Sequence, residues 1–370
     1  MSSNILVLVD ALLGLLLVPL SVLIRIIRRI ISRIYPARAA VGVLVIKFLG
    51  AGNLLAVKGA LSGLDFDVVT AQSNRNAITA FGLGRRNLII DDSSFIKLAL
   101  SSLSCCTQLL SRRYEQVINL ESESKFAKFL TALVSARVVS GVTNAHKSYT
   151  DLVLYDRYLV TPVLAGRGDM VSQLLRFEAR TNEFVSHAIG KCVENFWATN
   201  SLTDVQTICL APSCSSTDTL RRLPDKHWED LIHTLMLTGR VKELVVVFAT
   251  SLDPQRGKFE RISHQYPGRV NVRITDYKAF VHCVSTADLL ITVDSQALHL
   301  RQSINRPAIC FYGPTSPLGV GLSTSTLPVT SSLQCSPCTH KYLRLPCGGE
   351  APCMNLGEQG IRLVSGINCA

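Results

Sequence analysis

A carboxylate, a hydroxyl and an imidazole follow one of the most apolar runs of the chain, residues 289–293. Asp294 and Ser295 come directly after that run, and His299 lies about one helical turn further on. At a strand-to-helix turn, a carboxylate can accept a hydrogen bond from a sugar or ribose hydroxyl, and a histidine can neutralise a phosphate. A lone histidine is more often a packed core residue. The combined Asp-Ser-x-x-x-His spacing nevertheless favours a ligand site.

A second polar segment, residues 211–228, also follows an apolar run. It opens with small hydroxyl residues, among them Ser213 and Thr217, and continues to Arg221 before a helix that begins at Pro224. Hydroxyls, loop amides and a guanidinium at a strand end can hold a diphosphate. The segment lacks the GxxxxGK[ST] pattern, so it is not a Walker A loop. The alternative is a polar surface loop without a ligand.

Two glycines, Gly50 and Gly52, follow the β-branched run 41–48. Glycine permits close backbone approach, and a helix that begins near Asn53 would offer free N–H groups to an anion. Many α/β proteins carry glycines at this turn only for packing, so the pattern is weak by itself. We therefore treat the turn as a candidate loop of the site.

Four cysteines lie within nineteen residues near the end of the chain. Cys335 and Cys338 form a C-x-x-C pair, and Cys347 and Cys353 follow. This spacing can close around a tetrahedral zinc or iron, so the segment 335–353 is a candidate structural metal knuckle. Reduced, packed thiols or two disulfides are the alternatives. A catalytic metal is not expected, because four thiolates would leave no open coordination position.

The segments that carry these residues need strands and helices to position them. Apolar, β-branched runs separated by helical patterns occur in two series. The predicted strands are 41–48, 66–70, 87–91, 116–120 and 136–142, then 207–212, 243–249, 270–275, 289–294 and 307–313. Residues 145–200 are more polar and indicate the remaining helices and a linker. This alternation predicts two parallel α/β domains, 41–195 and 196–370, facing one another across a ligand cleft at the carboxyl ends of their strands.

The first forty residues differ from the rest of the chain. Residues 5–24 form a largely apolar run with one charged residue, Asp10, and a helix of that length spans roughly 30 Å, the thickness of a bilayer core. The arginines that follow are Arg25, Arg28, Arg29, Arg33 and Arg38. A cleaved signal peptide fits poorly, because its basic residues would precede the apolar stretch and here they follow it. We expect residues 1–40 to be a membrane anchor. It either spans once or forms a re-entrant or surface-lying element among anionic headgroups; a buried helix of a soluble fold is the alternative.

Composition narrows the class of protein and its partners. The chain has 370 residues, 48% of them hydrophobic, which excludes disordered and collagen-like proteins. Its net charge of +11 indicates an anionic partner. Nucleic acid is not expected, since aromatic residues make up only 6% and no recognition motif is present. A phosphorylated ligand and an anionic lipid surface remain, and the adjacent pair Cys105 and Cys106 suits a reducing compartment.

From residue 41 onward the chain resembles glycosyltransferase family 9, the heptosyltransferase family of lipopolysaccharide assembly. The likeness rests on the D-S-x-x-x-H-L block, on F-x-G-P-T-x-P at 311–317, on C-S-P-C at 335–338 and on VINL at 117–120. It implies a GT-B fold, in which two Rossmann-like parallel-sheet domains face one another. It also implies inverting, metal-independent transfer from an ADP-heptose-like nucleotide sugar to a lipopolysaccharide or other lipid-linked acceptor. Such an enzyme would act at the cytoplasmic face of the inner membrane.

The resemblance also assigns donor-binding positions. Asp294, Ser295 and His299 match the family's Asp-[Ser/Thr]-Gly-x-x-His, with Gln296 in place of the glycine. Arg221 falls where the family has a lysine that contacts the donor diphosphate. The residues that the resemblance places in the donor site are Ser213, Thr217, Thr219, Arg221, Asp294, Ser295 and His299.

The first loop departs from the family pattern at its catalytic position. The family has an aspartate, its proposed general base, where this chain has Asn53. A neutral amide cannot take up a proton, although it can hold an acceptor by hydrogen bonds. Glu121, at the end of a neighbouring strand, is the first candidate for a substitute base. The alternative to a transferase is a catalytically impaired relative that binds a sugar nucleotide or a glycolipid, as Asn53 and Gln296 motivate.

Overall fold

The structure is a computed structural model of the chain. It describes residues 3–34, 40–48, 50, 54–55, 61, 64–122, 124–144, 149–161, 185–200, 202, 204–214, 219–320, 323–338 and 345–366. These residues fall into two compact units, the first within 3–161 and the second within 185–366. The predicted boundary at residues 195 and 196 falls inside a helix, Val185–Thr199.

The first unit contains a six-stranded sheet in which every pair of neighbouring strands is parallel. Its strands are β1 (Val41–Ile46), β2 (Phe66–Ala71), β3 (Arg86–Ile90), β4 (Arg113–Asn119), β5 (Ser135–Asn144) and β6 (Arg157–Thr161). Their order is β3-β2-β1-β4-β5-β6. This is the doubly wound order in which β1 and β4 lie side by side where the winding reverses direction.

Helices of the first unit pack on the sheet through apolar faces. They are α1 (Ser3–Ile34), α2 (Arg75–Phe81), α3 (Phe95–Leu110), α4 (Lys125–Leu133) and α5 (Tyr149–Leu154). Helices α3, α4 and α5 connect strands that advance in one direction, so right-handed crossovers place them on one face of the sheet. One core cluster there includes Leu109 of α3 and Leu130 of α4, with Ile24 of α1 packed against it.

Helix α1 is bonded to this unit at two places along its length. Near its start, the carboxylate of Asp10 accepts hydrogen bonds from Ser124 Oγ at 3.0 Å and from the backbone N–H groups of Lys125 and Phe126 at 2.9 Å each. These are first-turn N–H groups of α4, which have no partner within their own helix. Asp10 therefore caps α4 from another helix, an arrangement that the positive end of the helix dipole favours.

The second contact between α1 and the domain is an ion-pair cluster. Arg25 donates from Nη2 to Asp156 Oδ2 at 2.6 Å and from Nε to Leu154 O at 3.1 Å, and Arg29 donates to Asp156 Oδ1 at 2.8 Å. Burial alone would raise the pKa of Asp156. The N–H group of Val139 and the two arginines outweigh it, so this pKa lies below its usual value. Among the described residues, no helix has the length and apolarity needed to cross a membrane.

The second unit repeats the strand order of the first. Its strands are β7 (Thr207–Ala211), β8 (Glu243–Phe248), β9 (Val270–Ile274), β10 (Leu289–Val293), β11 (Ala308–Tyr312) and β12 (Thr326–Thr330). Their order is β12-β11-β10-β7-β8-β9, and all neighbours are parallel. The point where the winding reverses lies between β7 and β10. The helices are α6 (Val185–Thr199), α7 (Asp225–Leu237), α8 (Arg256–Gln265), α9 (Tyr277–Thr286), α10 (Gln296–Ser303), α11 (Pro317–Val320) and α12 (Gly357–Gly366).

An arginine that the sequence patterns do not single out holds α10 in place. Arg301 is fully buried, and its guanidinium donates hydrogen bonds to five backbone carbonyls at 2.7–3.2 Å, those of Val284, Ser285, Ala287, Asp288 and Pro307. These carbonyls lie at the end of α9, at the start of β10 and before β11. Burial and the charge of Arg306 lower the pKa of Arg301 to about 10. Arg301 therefore fixes the helix that carries His299.

Ten strands are predicted from the sequence, and all ten are present as β1–β5 and β7–β11. The sequence analysis misses β6 and β12, the edge strands that follow α5 and α11. Pro328 lies inside β12, and proline is tolerated in a strand at a sheet edge because its missing N–H costs no ladder bond there. Of the helix predicted after β1, only residues 54, 55 and 61 are described, and all three are helical.

Candidate active site

Strand β10 delivers the Asp-Ser pair to the switch point of the second sheet. All five residues of β10 are buried, and Asp294, which follows, is 5% exposed. Thr292 donates from Oγ1 to the carbonyl of Ala211, on β7, at 2.7 Å, and its Oγ1 lies 3.1 Å from Ser295 Oγ. Ser295 is the extended residue before α10. Asp294 and Ser295 therefore stand where an open α/β sheet binds its ligands.

Arg221 reaches the same strand end from the loop after β7. It closes the short 3₁₀ turn Thr219–Arg221, and its Nη1 donates to the backbone carbonyl of Asp294 at 2.7 Å. The same nitrogen lies 3.4 Å from Asp294 Oδ2. The structure thus brings together two residues that the sequence predicts separately. It places a guanidinium, which suits a diphosphate, at the carboxyl end of β10.

His299 lies on α10, one turn after Ser295, and is 6% exposed. Asp294 also influences the neighbouring strand β11. Burial, the neighbouring thiol of Cys310 and the Asp294 carboxylate together raise the pKa of Tyr312 well above its ordinary value. The phenol therefore stays protonated beside the carboxylate. Asp294 and His299 are buried and Ser295 is half-buried, so these predicted donor residues lie within about one turn of each other at the end of β10.

The hydroxyl-rich loop is described only at its two ends. Ser213 donates from Oγ to Asp253 Oδ2 at 2.7 Å, a contact that joins the loop after β7 to the loop after β8. Thr219 is exposed and opens the 3₁₀ turn that ends in Arg221. Thr217 lies outside the described residues. The sequence analysis does not single out Asp253, whose position relative to Ser213 depends on the pairing of β7 with β8.

The first unit also brings polar groups to its switch point. Lys47 follows β1 and Glu121 follows β4, and Lys47 Nζ donates to Glu121 Oε1 at 2.7 Å. The N–H group of Phe48 donates to the same oxygen at 2.9 Å. Both side chains are largely buried, at 5% and 13% exposure. Sequence reasoning names Glu121 but misses Lys47, although a lysine directly after a continuous apolar strand is the signal that could have found it.

The start of the first loop is held from both sides. Glu121 receives the N–H group of Phe48, and Asn74 Nδ2 donates to the carbonyl of Phe48 at 2.7 Å. Gly50 is exposed and has a φ of +81°, in the left-handed region that favours glycine, so this turn requires it. Gly52 and Asn53 lie outside the described residues. The candidate residues of the two units therefore belong to two separate groups, Glu121 with Lys47 in the first and the donor residues in the second.

The four cysteines of the knuckle are neighbours. Burial and then the thiols of Cys338, Cys347 and Cys335 raise the pKa of Cys353 to about 11. Cys338 is buried, and its N–H group donates to the carbonyl of Pro314 after β11 at 3.0 Å. All described cysteines are free thiols. The described residues contain no group of three or more histidine, cysteine or acidic side chains arranged to hold a metal ion.

Two doubly wound sheets, each with polar residues at its switch point, define an α/β fold that matches GT-B-like glycosyltransferases. The family model described as glycosyltransferase family 9 (heptosyltransferase) matches residues 103–347. The chain belongs to glycosyltransferase family 9. A search of curated proteins finds no match.

Three solved structures illustrate the likeness in fold. Heptosyltransferase WaaC of E. coli, solved with ADP, is 17% identical with a TM-score of 0.59, and the match covers 87% of this chain and 99% of WaaC. A family 9 glycosyltransferase of Veillonella parvula is 14% identical, with a TM-score of 0.63 and coverage of 90% and 99%. The E. coli ADP-heptose lipopolysaccharide heptosyltransferase II is 14% identical, with a TM-score of 0.57 and coverage of 89% and 99%.

Proposed function

We propose that this protein is an inverting glycosyltransferase. It transfers a sugar, with heptose as the first candidate, from an ADP-heptose-like donor to a lipopolysaccharide or other lipid-linked acceptor. The observation that carries the proposal is the donor group of the second unit. Arg221, Asp294, Ser295 and His299 stand together at the switch point between β7 and β10 in a chain of family 9.

The donor half of the mechanism follows from the charges of this group. The Arg221 guanidinium and His299 would bind the diphosphate and stabilise the negative charge that develops on it as the glycosidic bond breaks. The Asp294 carboxylate would accept a ribose or sugar hydroxyl. Two solved structures of WaaC contain ADP and ADP-2-deoxy-2-fluoro heptose, and this supports an adenine-nucleotide donor for the present protein.

The acceptor half requires a base. The acceptor hydroxyl would attack the anomeric carbon from the side opposite the leaving diphosphate, and its proton would pass to a carboxylate of the first unit. Glu121 is the candidate. Its Oε1 is bonded to Lys47 Nζ and to the N–H group of Phe48, which fixes the carboxylate at the end of β4. Asn53, a neutral amide, would hold the acceptor rather than take up the proton.

A catalytically impaired relative that binds a sugar nucleotide or a glycolipid is the second candidate. The hydrogen bonds of Glu121 favour it, because Oε1 already accepts from Lys47 Nζ and from the Phe48 N–H group and so has less room for an acceptor hydroxyl. Gln296, which replaces the family glycine, also favours it. This candidate binds the donor but does not turn it over.

One experiment separates these candidates. The purified full chain is screened by thermal shift against ADP, ADP-sugars, UDP-sugars and GDP-sugars, and transfer to lipopolysaccharide core acceptors is then measured with the stabilising donor. A ligand at about 100 times its dissociation constant adds roughly 2.7 kcal/mol to the free energy of unfolding. Selective stabilisation by ADP-heptose together with transfer supports the enzyme, whereas stabilisation without transfer supports the binding relative. No stabilisation by any nucleotide sugar contradicts both the enzyme and the relative that binds a sugar nucleotide, and leaves only the relative that binds a glycolipid.

Two further parts of the proposal concern the location and a structural metal. The N-terminal segment would hold the enzyme at the cytoplasmic face of the inner membrane, where a lipid-linked acceptor is available. The clustering of Cys335, Cys338, Cys347 and Cys353 supports a structural zinc or iron, with no metal needed for transfer. The cysteine side chains as described are not arranged as a metal site, so elemental analysis decides. Fewer than about 0.2 metal atoms per chain would exclude a structural metal.

A further inference from the structure

Helix α1 carries buried polar residues on the side that faces the domain, where Ile24 also packs, and exposed apolar residues on the opposite side. Asp10, Gly14, Ser21 and Arg25 recur at helical spacing and form the inner face, where Gly14 lies against Lys125 and Arg25 is buried. A helix that merely covers a core has the opposite arrangement, with its apolar stripe inward. The inner face of α1 is therefore the side that binds the protein, and the outer face is left for another partner.

On the outer face of α1, every exposed side chain that the structure describes is apolar. We name it the apolar face; its residues are Leu16, Leu20, Leu23, Ile26, Ile27, Ile30 and Ile31, which are 41–72% exposed. They extend over fifteen residue steps, about 22 Å of helix. Monomeric soluble proteins rarely expose a contiguous apolar surface of this kind without a partner.

A second exposed apolar stripe lies on the same side of the first unit. Helix α3 exposes Ile96, Leu100, Leu103 and Leu110 at 52–74%. Since α1, α3 and α4 contribute to one core cluster, they cover the same face of the sheet, and the outer sides of α1 and α3 belong to one layer. The apolar face of α1 is thus extended by its neighbours rather than isolated.

Charge identifies the partner. Arg25, Arg28 and Arg29 lie along one stretch of α1, and Asp156 is the carboxylate that pairs with two of them. In the described part of the chain, Arg28 makes no ion pair. Burial and the charge of Arg25 lower the pKa of Arg28, as expected of a cation among cations. An apolar stripe bordered by excess positive charge is complementary to a bilayer surface with anionic headgroups.

The two contacts with the domain decide how the helix meets the bilayer. Asp10 binds the start of α4, and Arg25, about 22 Å further along the axis, binds Asp156. A helix that crosses the hydrocarbon core would carry the bound domain into it with its charged and polar surface, which the hydrocarbon does not tolerate. A helix that lies in the plane of the interface keeps the domain in water and its outer face in lipid.

We propose that α1 lies in the plane of an anionic membrane surface, with its apolar face in the acyl boundary and its inner face bound to the first unit. The inference deepens the proposed function, because it names the membrane element of an enzyme with a lipid-linked acceptor. It replaces the choice between spanning and lying on the membrane with the second mode.

Vesicle flotation of the full chain tests the partner. The probes are phosphatidylcholine vesicles with and without about one quarter phosphatidylglycerol. The native chain should float with the anionic vesicles, and the pair Leu23→Glu with Ile27→Glu should reduce binding at least tenfold. The matched control is Leu237→Glu with Leu252→Glu, two leucines of the second unit that are 84% and 87% exposed, and it should float like the native chain. Equal flotation of both variants, or no flotation of the native chain, overturns the proposal.

Two further measurements are made without lipid. Light scattering distinguishes a protein partner of α1 from a lipid surface, and thermal shift distinguishes a defect in α1 from a defect in the donor site. Light scattering detects a second copy of the chain as the partner. A native dimer that the α1 variant converts to a monomer, with vesicle binding unchanged, overturns the proposal.

Thermal shift with ADP tests the donor site. If the α1 variant loses vesicle binding but is still stabilised by ADP, the defect concerns α1 alone. If the native chain floats normally but is not stabilised by ADP, the result contradicts the proposed function and leaves the membrane contact unaffected.

Depth measurements test the orientation. Three variants, Leu16→Trp, Leu23→Trp and Ile30→Trp, each add one tryptophan to α1, and brominated phospholipids quench its fluorescence. The native Trp197 and Trp228 contribute the same background to all three. A helix in the interface plane gives the same shallow depth at all three positions. A spanning helix gives a depth that passes through the middle of the bilayer between them, which would overturn the in-plane arrangement.

Discussion

The switch point of each sheet holds an ion pair, and the two pairs differ in which partner the backbone holds, the anion or the cation. In the first unit, the carboxylate is the group that is held, because Glu121 Oε1 accepts hydrogen bonds from both Lys47 Nζ and the Phe48 N–H group. In the second unit, the guanidinium is held, because Arg221 donates to the backbone carbonyl of Asp294 at 2.7 Å and stands farther from the carboxylate, at 3.4 Å.

This difference matches two different tasks. A carboxylate fixed by a cation and a backbone amide has a defined position for accepting a proton or an acceptor hydroxyl. A guanidinium held by a neutral carbonyl keeps most of its positive charge available for a phosphorylated ligand. Its other N–H groups also remain available as hydrogen-bond donors. Under the proposed function, the same strand order would position the acceptor chemistry in one unit and the anionic donor in the other.

The largest expected effect is that of Glu121→Gln on turnover. If Glu121 is the base, the substitution lowers kcat by about 100-fold or more, and the fall in rate at low pH that protonation of a base produces disappears. A residue that only positions the first loop lowers kcat without changing the shape of the pH profile. Steady-state transfer assays across pH distinguish the two outcomes.

Asn53→Asp is the counterpart of that substitution. It restores the carboxylate that the family carries in the first loop. A large gain in transfer by Asn53→Asp, with little loss in Glu121→Gln, would contradict the assignment of the base to Glu121. It would instead identify Asn53 as the cause of impaired catalysis.

The next effect is on stability. Lys47→Gln leaves the Glu121 carboxylate largely buried without its cation, and removal of one partner of a buried pair costs about 3 kcal/mol in the free energy of unfolding. Lys97→Gln is the matched control, because Lys97 is 63% exposed and lies 4.0 Å from Asp91. An exposed pair of this kind is worth about 0–1 kcal/mol. Denaturant unfolding of both variants measures the difference, and equal losses would show that the pair is not a buried structural element.

The donor side is tested by Arg221→Gln. A charge-assisted hydrogen bond to a diphosphate is worth about 1.5–3 kcal/mol, so the dissociation constant for ADP should rise roughly 10- to 100-fold. Arg240→Gln, at an exposed arginine of the same unit, should leave ADP binding unchanged. Calorimetric titration with ADP gives both values. An unchanged dissociation constant in Arg221→Gln would show that the Arg221 guanidinium does not bind the donor diphosphate, so the difference between the two ion pairs would have no functional meaning.

Much of the fold could be predicted from the sequence, because buried parallel strands are continuous apolar runs. Ten of the twelve strands in the described residues were predicted, most of them from such runs. The other two are edge strands, β6, which begins with Arg157 and Tyr158, and β12, which contains Pro328. Edge strands tolerate polar residues and proline, so hydrophobic periodicity detects them less reliably, although the other two edges, β3 and β9, were predicted.

The site was predictable in its residue types but not in its contacts. Spacing along one turn identifies Asp294, Ser295 and His299 together. In contrast, Arg221 meets Asp294 across 73 positions of chain, and Lys47 meets Glu121 across 74. Only the shared strand order brings such residues together. For the same reason, the apolarity of the N-terminal segment was evident, whereas the role of Asp10 as a cap on α4 was not.

The smallest expected effect concerns the residue at which the second switch point departs from the family. Gln296 begins α10, and its Nε2 donates to the hydroxyl of Tyr277 at 2.8 Å, a contact between the starts of α10 and α9. Gln296→Gly removes that bond and should lower the free energy of unfolding by about 1 kcal/mol, with the dissociation constant for ADP changed less than about threefold.

Tyr277→Phe removes the same bond from the other side. In a double-mutant cycle, the loss in the double variant should therefore be smaller than the sum of the two single losses. Gain of ADP affinity in Gln296→Gly would instead mean that the amide obstructs the donor site. The departure at residue 296 would then belong, with Asn53, to the case for an impaired enzyme. Unchanged affinity leaves Gln296 as a contact that fixes α10 beside α9 and keeps the donor group of the second unit competent.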